Sequence, residues 1–300
     1  MSAAKRRPLT VGVIGAGRVG AILGAALRHA GHRVVAASGV SAAAKARIAH
    51  FLPGTANLPA DEVARAATDL LLIAVPDDVL ADVVAGLAET GAIRRGQLVV
   101  HTSGAHGITV LAPAAAAGAR PIALHPAMTF TGTAADLSKL AGVSYGVTAP
   151  ANLRRVAERL VADLRGVPEW VAEADRPLYH AALVHGANHL ITLVNEALDR
   201  LRDAGVAQPE KVLGPLLRAS LDNSLHLGDA ALTGPVSRGD AGTVARHLDR
   251  LAATAPDSVP AYLALARRTA DRAIASGRLR PRDAEPLLDV LAASREEAVA

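Results

Sequence analysis

A chain of 300 residues, 51% of them hydrophobic, has room for one large domain or two ordinary ones with buried cores, and no run reaches the ~18 uninterrupted apolar residues of a membrane span. The net charge of +4 and pI of about 9.8 raise nucleic acid as a partner, but the basic residues are scattered and aromatic residues, the usual stacking platforms, make up only 2%, so that class is set aside. The lack of cysteine excludes disulfides, thiolate nucleophiles and cysteine-ligated zinc and suits a reducing cytoplasm, the expected location.

The first element is also the most informative. Val11–Gly20 reads VGVIGAGRVG, a buried strand running into a glycine-rich turn and then a helix from Arg18 to Ala30. It fits G-x-G-x-x-G, in which Gly15 makes the tight turn, Gly17 lets backbone approach a pyrophosphate, and Gly20 lets helix and strand pack closely. Phosphate would sit on the helix N-terminus, where free N–H groups and the dipole favour an anion. Gly15, Ala16, Gly17, Arg18, Val19 and Gly20 are therefore the expected cofactor cradle. A second strand follows at Arg33–Ser38, a helix at Ser41–His50, and a continuous apolar run of parallel-sheet type at Asp69–Val75. Then come a helix at Asp77–Thr90, strands at Gln97–Thr102 and Pro121–Leu124, and two further strands, Val143–Thr148 and Val167–Val171, around a helix at Ala151–Leu164. The repetition predicts an α/β, Rossmann-like, doubly wound parallel sheet over residues 1–173, with ligands at the carboxyl ends of its strands.

After Glu173 the strand pattern stops, which predicts an all-α C-terminal domain over residues 174–300. Asp175–Ala204 reads as one long helix, with further helices near Pro209–Gly228, Asp240–Ala253, Ser258–Ser276 and Arg282–Ala298. On the long helix His185, Asn188, His189, Thr192, Asn195 and Glu196 share one stripe, opposite Leu190, Leu193, Val194, Ala197 and Leu198. A solvated face would carry more Lys, Arg and Glu, so the stripe is expected to face a cleft or a subunit interface. His185 and His189 have the i, i+4 spacing of a metal pair but lack the glutamate of H-E-x-x-H, and no metal is expected.

The other strand ends refine the chemistry. No acidic residue stands about 20 positions beyond the glycines, where NAD enzymes usually bind the ribose 2′-hydroxyl. Ser38 ends the second strand instead, with Lys45 and Arg47 beyond it, so hydroxyls and cations could take a 2′-phosphate; the expected cofactor is NADP before NAD. The backbone of Val75 and Pro76 would border it, while Asp77 or Asp78 serves as a helix N-cap. His101-Thr102-Ser103-Gly104 closes the next strand and His125-Pro126 the one after; His125 is either a proton donor or a structural residue. Thr233–Asp240 is a rigid turn into a helix, in which Asp240 is a natural N-cap and Arg238 is suited to a carboxylate.

These segments together, AVPDD, HTSGA, LHPAMTF, YHAALVHGANH and LTGPVSRGD, resemble the bacterial proteins that join a Rossmann-like domain to the domain of unknown function 2520. The resemblance covers nearly the whole chain. That family looks like a branch of the 6-phosphogluconate dehydrogenase-like group, with pyrroline-5-carboxylate reductase, 3-hydroxyisobutyrate dehydrogenase and ketopantoate reductase as relatives. The resemblance implies NADP-dependent reduction of a small carbonyl or imine, an all-α second domain and a homodimer built through it. Hydroxyacid dehydrogenase relatives carry G-x-x-x-K-x-x-N-N on the first long helix of that domain; matching Asn188 to the first asparagine puts His185 where the lysine stands. The expected mechanism is hydride delivery from NADPH to a small anionic acid held between the domains, with His185 or His125 giving the proton, Asn188 and Arg238 orienting the substrate, and Ser103 beside the nicotinamide. The missing lysine supports a rival, a non-catalytic nucleotide-binding sensor or assembly protein.

Overall fold

The computed structural model describes residues 7–299, with side chains as far as residue 293. The chain divides into two compact units, one ending at Gly186 and the other beginning at Ala187. Residues 174–186, helical in sequence, therefore belong with the sheet.

The first unit alternates β1 (Thr10–Ile14), α1 (Arg18–His29), β2 (Arg33–Ser38), α2 (Ala42–Phe51), β3 (Ala56–Asn57), α3 (Ala60–Ala66), β4 (Leu70–Ile73), α4 (Asp77–Glu89) and β5 (Leu98–His101). It continues through α5 (Ala112–Ala116), β6 (Arg120–Pro126), α6 (Ala134–Lys139), β7 (Ser144–Thr148), α7 (Arg154–Asp163), β8 (Val167–Trp170) and α8 (Arg176–Leu183). The strands form one sheet in the order β3-β2-β1-β4-β5-β6-β7-β8. The chain leaves β1 on one side for β2 and β3 and returns on the other for β4, which makes the carboxyl end of β1 a topological switch point.

The sheet is not wholly parallel. β6 and β7 are antiparallel, with His125 opposite Gly146, and β8 then runs parallel to β7. The short elements β3, α3, α5 and α6 carry little periodicity of their own and are not anticipated by pattern. Both faces of the sheet are covered: Leu70, Leu72, Val100, Ile122 and Leu124 pack into one core layer and Leu71, Ile73 and Val99 into the other. That two-sided burial is why β4 is apolar at every position, each such side chain contributing about 1.5–3 kcal/mol.

The stretch expected to be one helix is interrupted. After α8 comes a π-helical turn at Val184–Asn188, then α9 (His189–Asp203). A π turn carries more residues per turn than an α-helix, so the single α-helical phase expected over this stretch is broken at Val184–Asn188. In the second unit α9 leads to α10 (Pro209–Leu227), α11 (Ala241–Thr254), α12 (Val259–Ala275) and α13 (Pro281–Val299). The core of this unit, including Val244, Leu248, Leu263, Ala270 and Leu287, comes from α11–α13 with the turn at Val236. α9 buries no residue and α10 only Pro209. Among the described residues no helix is long and apolar enough to cross a membrane.

Candidate active site at the strand ends

The glycine turn divides its work among three positions. Gly15 has φ +82°, and a Cβ there would lie 2.6 Å from the Ala74 carbonyl oxygen and 3.0 Å from Cγ1 of Val75. A Cβ on Gly20 would collide with the Gly15 carbonyl, the close approach that seats α1 on β1. At Gly17 a Cβ would meet nothing nearer than 4.0 Å. Its smallness serves no contact inside the chain and leaves backbone open to a ligand. Ala16 is buried and its N–H donates to the Ser38 carbonyl at 2.8 Å, tying the turn to the end of β2. Gly17 caps α1 with no side-chain hydrogen bond, and no acidic residue stands in the first turn. The N-terminus of α1 is thus left for an anion.

Cations gather beside it. Arg18, exposed at the start of α1, and Arg47 on α2 both border Gly132: a Cβ at Gly132 would lie 2.9 Å from Arg47 Nε and 3.0 Å from Arg18 Cγ. That loop is pinned by buried Asp136, whose carboxylate accepts from the N–H groups of Thr131 and Gly132 at 2.9 and 2.7 Å and from the Thr131 hydroxyl at 2.9 Å. Ser38 is half-buried at the end of β2, and Ser41 accepts from Ala44 N–H at 3.1 Å to cap α2. At β4, Val75 touches the glycine turn and exposed Pro76 caps α4. Asp77 and Asp78 are first-turn residues and not the cap expected from sequence; their charge still complements the helix dipole.

The ends of β5, β6 and β7 carry a second group of polar residues. His101 is fully buried; its Nε2 lies 2.7 Å from the Gly107 carbonyl, which can only accept, so Nε2 carries the proton and Nδ1 accepts from Ser103 N–H at 3.2 Å. The Ser103 hydroxyl in turn accepts from His106 N–H at 3.1 Å. Burial, aided by the Arg176 charge, pushes His101 down to about 4 despite its bond to Gly107. His125 is likewise pushed down to about 4, first by burial and then by His180 and Arg176. Both imidazoles are neutral at pH 7. Nδ1 of His125 lies 3.0 Å from the Tyr179 hydroxyl, and a Cβ on Gly104 would stand 3.1 Å from its Nε2 and 2.6 Å from Cδ2 of His180.

Beneath this group lies Arg176, with no exposed surface. Its Nε donates to Thr148 Oγ1 at 2.8 Å, Nη1 to the Ser103 carbonyl at 3.3 Å, and Nη2 to the carbonyls of Ala123 and Gly146 at 3.2 and 3.0 Å. One guanidinium thereby joins the loop after β5 to β6 and β7. Among the described residues no carboxylate touches it. Glu173 acts on it from a distance while accepting from the N–H groups of Ile108 and Thr109 at 2.7 and 3.0 Å. Burial pushes the Glu173 carboxyl up, but those backbone bonds and the Arg176 charge outweigh it and hold the group below its ordinary value. Neither Arg176 nor Tyr179 emerges from pattern reading, because a lone arginine or tyrosine at the start of an amphipathic helix carries no sign that it points into the sheet.

The remaining expected residues lie elsewhere on the chain. His185 is exposed in the π turn, and Asn188 is exposed at the start of α9. Arg238 is exposed, while Asp240 caps α11 as expected, accepting from Thr243 N–H at 3.0 Å. The second unit holds a cavity of about 740 Å³ lined by Leu193, Leu201, Val236, Leu265 and the His247–Tyr262 pair, the latter bonded at 2.9 Å; Arg238 is not in its wall.

A doubly wound sheet with an open glycine turn at its switch point, followed by a helical unit, defines a protein with the dinucleotide-binding fold. The Rossmann-like domain family matches residues 1–126 and the family described as domain of unknown function (DUF2520) matches residues 143–269, so the chain joins these two domains. Among solved structures it is similar to a candidate NADP oxidoreductase from Bacteroides fragilis, at 22% identity and TM-score 0.75 over 88% of this chain and 98% of that one. An imine reductase from Pseudomonas sp. follows at 20% identity and TM-score 0.63, covering 91% of this chain and 99% of its own. Pyrroline carboxylate reductase of Plasmodium falciparum, with NADP bound, has 14% identity and TM-score 0.57 over 88% of this chain and 98% of its own. These likenesses are of fold. No curated protein matches in sequence.

Proposed function

We propose that the protein is an NADP(H)-dependent oxidoreductase that reduces the carbonyl or imine of a small anionic acid. The observation that carries this reading is the asymmetry of the glycine turn: Gly15 and Gly20 are required by the chain itself, whereas Gly17 is open at an uncapped helix N-terminus. Those features fit a pyrophosphate. Arg18 and Arg47 beside Gly132, with Ser38 at the end of β2, would hold a 2′-phosphate and favour NADP over NAD. The titles borne by the similar folds, an NADP oxidoreductase candidate, a pyrroline carboxylate reductase and imine reductases, support the same class.

Bound there, NADPH supplies a hydride. Val75 and Pro76 would border its path, and Ser103 would line the nicotinamide end. His125, neutral at pH 7, would act by offering an N–H donor to the reacting group, as a neutral imidazole can polarise a carbonyl. His185 is the alternative proton donor. The buried charge of Arg176 favours an anionic ligand at the strand ends.

The test is equilibrium titration with NADPH, NADH and their oxidised forms, followed by a panel of keto acids and cyclic imines. NADP-selective binding with turnover is the expected outcome. Failure to bind any of the four sinks the reading; tight binding without turnover of any panel member would identify a sensor instead.

A further inference from the structure

Two buried imidazoles stand at the strand ends, and their nitrogens are used differently. In His101 both are taken by backbone, Nε2 by the Gly107 carbonyl and Nδ1 by Ser103 N–H. In His125 only Nδ1 has a partner among the described residues, the Tyr179 hydroxyl at 3.0 Å. Which of these two groups donates follows from acid–base strength. A phenol, with a pKa of about 10, is a far stronger acid than an imidazole N–H, and an imidazole nitrogen, whose conjugate acid has a pKa of about 6.5, is a far stronger base than a phenol oxygen. The hydroxyl therefore donates and Nδ1 accepts.

The packing around the ring holds the hydroxyl oxygen against Nδ1. The Tyr179 and His125 rings meet edge to face, 88° apart with centroids at 5.7 Å. On the far side Gly146, directly across the β6/β7 ladder from His125, leaves the space that the hydroxyl fills: a Cβ there would lie 2.6 Å from it. The Arg176 guanidinium lies 5.9 Å from the centre of the tyrosine ring, fixed by its bonds to strand carbonyls. The groups facing His125 are Tyr179, His180, Arg176, His101 and, at longer range, Asp77.

We propose that Tyr179 is a positioning residue that locks His125 as the Nε2–H tautomer, presenting that N–H beside Gly104 to the reacting group of the bound substrate. This rests on the reductase reading, in which His125 is the group that meets the substrate. The tyrosine supplies what a scaffold histidine would not need, one nitrogen held and the other facing the side-chain-free edge of Gly104.

The experiment is long-range ¹H–¹⁵N NMR of protein labelled at histidine nitrogen, with His125→Gln identifying the His125 signals. In the wild-type protein at pH 7, His125 shows a bare Nδ1 and a protonated Nε2. In Tyr179→Phe it becomes a mixture of tautomers while His101 is unchanged. A protonated Nδ1 in the wild type, or an unaltered His125 pattern in the variant, overturns the proposal; should the variant fail to fold, the wild-type spectrum alone decides. With any substrate turned over, Tyr179→Phe lowers kcat about tenfold or more with little change in KM, and an unchanged kcat also overturns it. NADPH titration of the wild type is read separately: no binding removes the reductase reading whatever the tautomer.

Discussion

Gly17 and Gly20 stand three residues apart in one turn and answer to different demands. Gly20→Ala places a methyl group against the Gly15 carbonyl and must push α1 away from β1. Gly17→Ala meets nothing within the chain. The expected outcome is a dissociation of stability from binding: Gly17→Ala changes unfolding free energy by less than about 1 kcal/mol yet weakens NADPH binding at least about tenfold. Gly20→Ala loses both. Urea unfolding and nucleotide fluorescence titration on the same preparations check this, and equal NADPH affinity in wild type and Gly17→Ala would remove the cradle. The histidines give a second residue-scale prediction. His101 and His125 have pKa values of about 4 in the folded chain against about 6.5 when unfolded. Between those values the unfolded chain binds more protons, so stability rises with pH across the window and is lost as the pH falls from 6.5 towards 4. The slope approaches about 1.4 kcal/mol per pH unit for each imidazole. Denaturant unfolding at a series of pH values reads it directly, and a flat profile over that window would contradict the burial described for both rings.

At the scale of elements, Arg176 on α8 is the tie among the loop after β5, β6 and β7. Arg176→Met keeps the bulk but strands the carbonyls of Ser103, Ala123 and Gly146 without their donor. At about 1–3 kcal/mol for each buried acceptor left unpaired, the expected loss is about 3 kcal/mol or more. Arg176→Lys restores only part, because an ammonium lacks the planar fork. Thermal unfolding of the two variants checks the order. This is also where the limits of reading the chain as a pattern are clearest. The strands β1, β4 and β5 were legible because burial on both faces makes them apolar over nearly their whole length, β2 because of its Val34–Ala37 run, and the glycine turn because three backbone constraints fall at fixed spacing. The reversed direction of β7 was not legible: Ser144–Thr148 has the same composition whichever way it runs, and only the connection through α6 decides. Nor was the π turn, since Val184–Asn188 carries residues that suit an α-helix equally well. Tyr179 and His125 lie 54 positions apart and meet only through the β6/β7 register.

For the whole molecule, the helical unit leaves an apolar surface that solvent does not favour. On α10 the exposed side chains Val212, Leu216 and Leu227 lie on one side and Leu221 and Leu225 on the other, and α9 adds Leu190, Ile191 and Leu193. A helix apolar on opposite sides is built to be surrounded. A second copy of this chain is the proposed cover, in line with the homodimer implied by the family resemblance. Sedimentation equilibrium is expected to give twice the chain mass, and Leu216→Glu with Leu221→Glu to give a monomer whose sheet unit still binds NADPH. A monomeric wild type would leave this surface to another partner.

Arg176 has one more consequence. A guanidinium does not titrate in the range where proteins are stable, so the positive potential under the strand ends is permanent while His101 and His125 are uncharged at neutral pH. An anion captured there finds its counter-charge already in place and need not recruit a proton from solvent. Calorimetric heats of ligand binding at pH 8 should therefore be independent of the ionisation enthalpy of the buffer. Near pH 5 they should become dependent on it, as the arriving negative charge draws a proton onto His125.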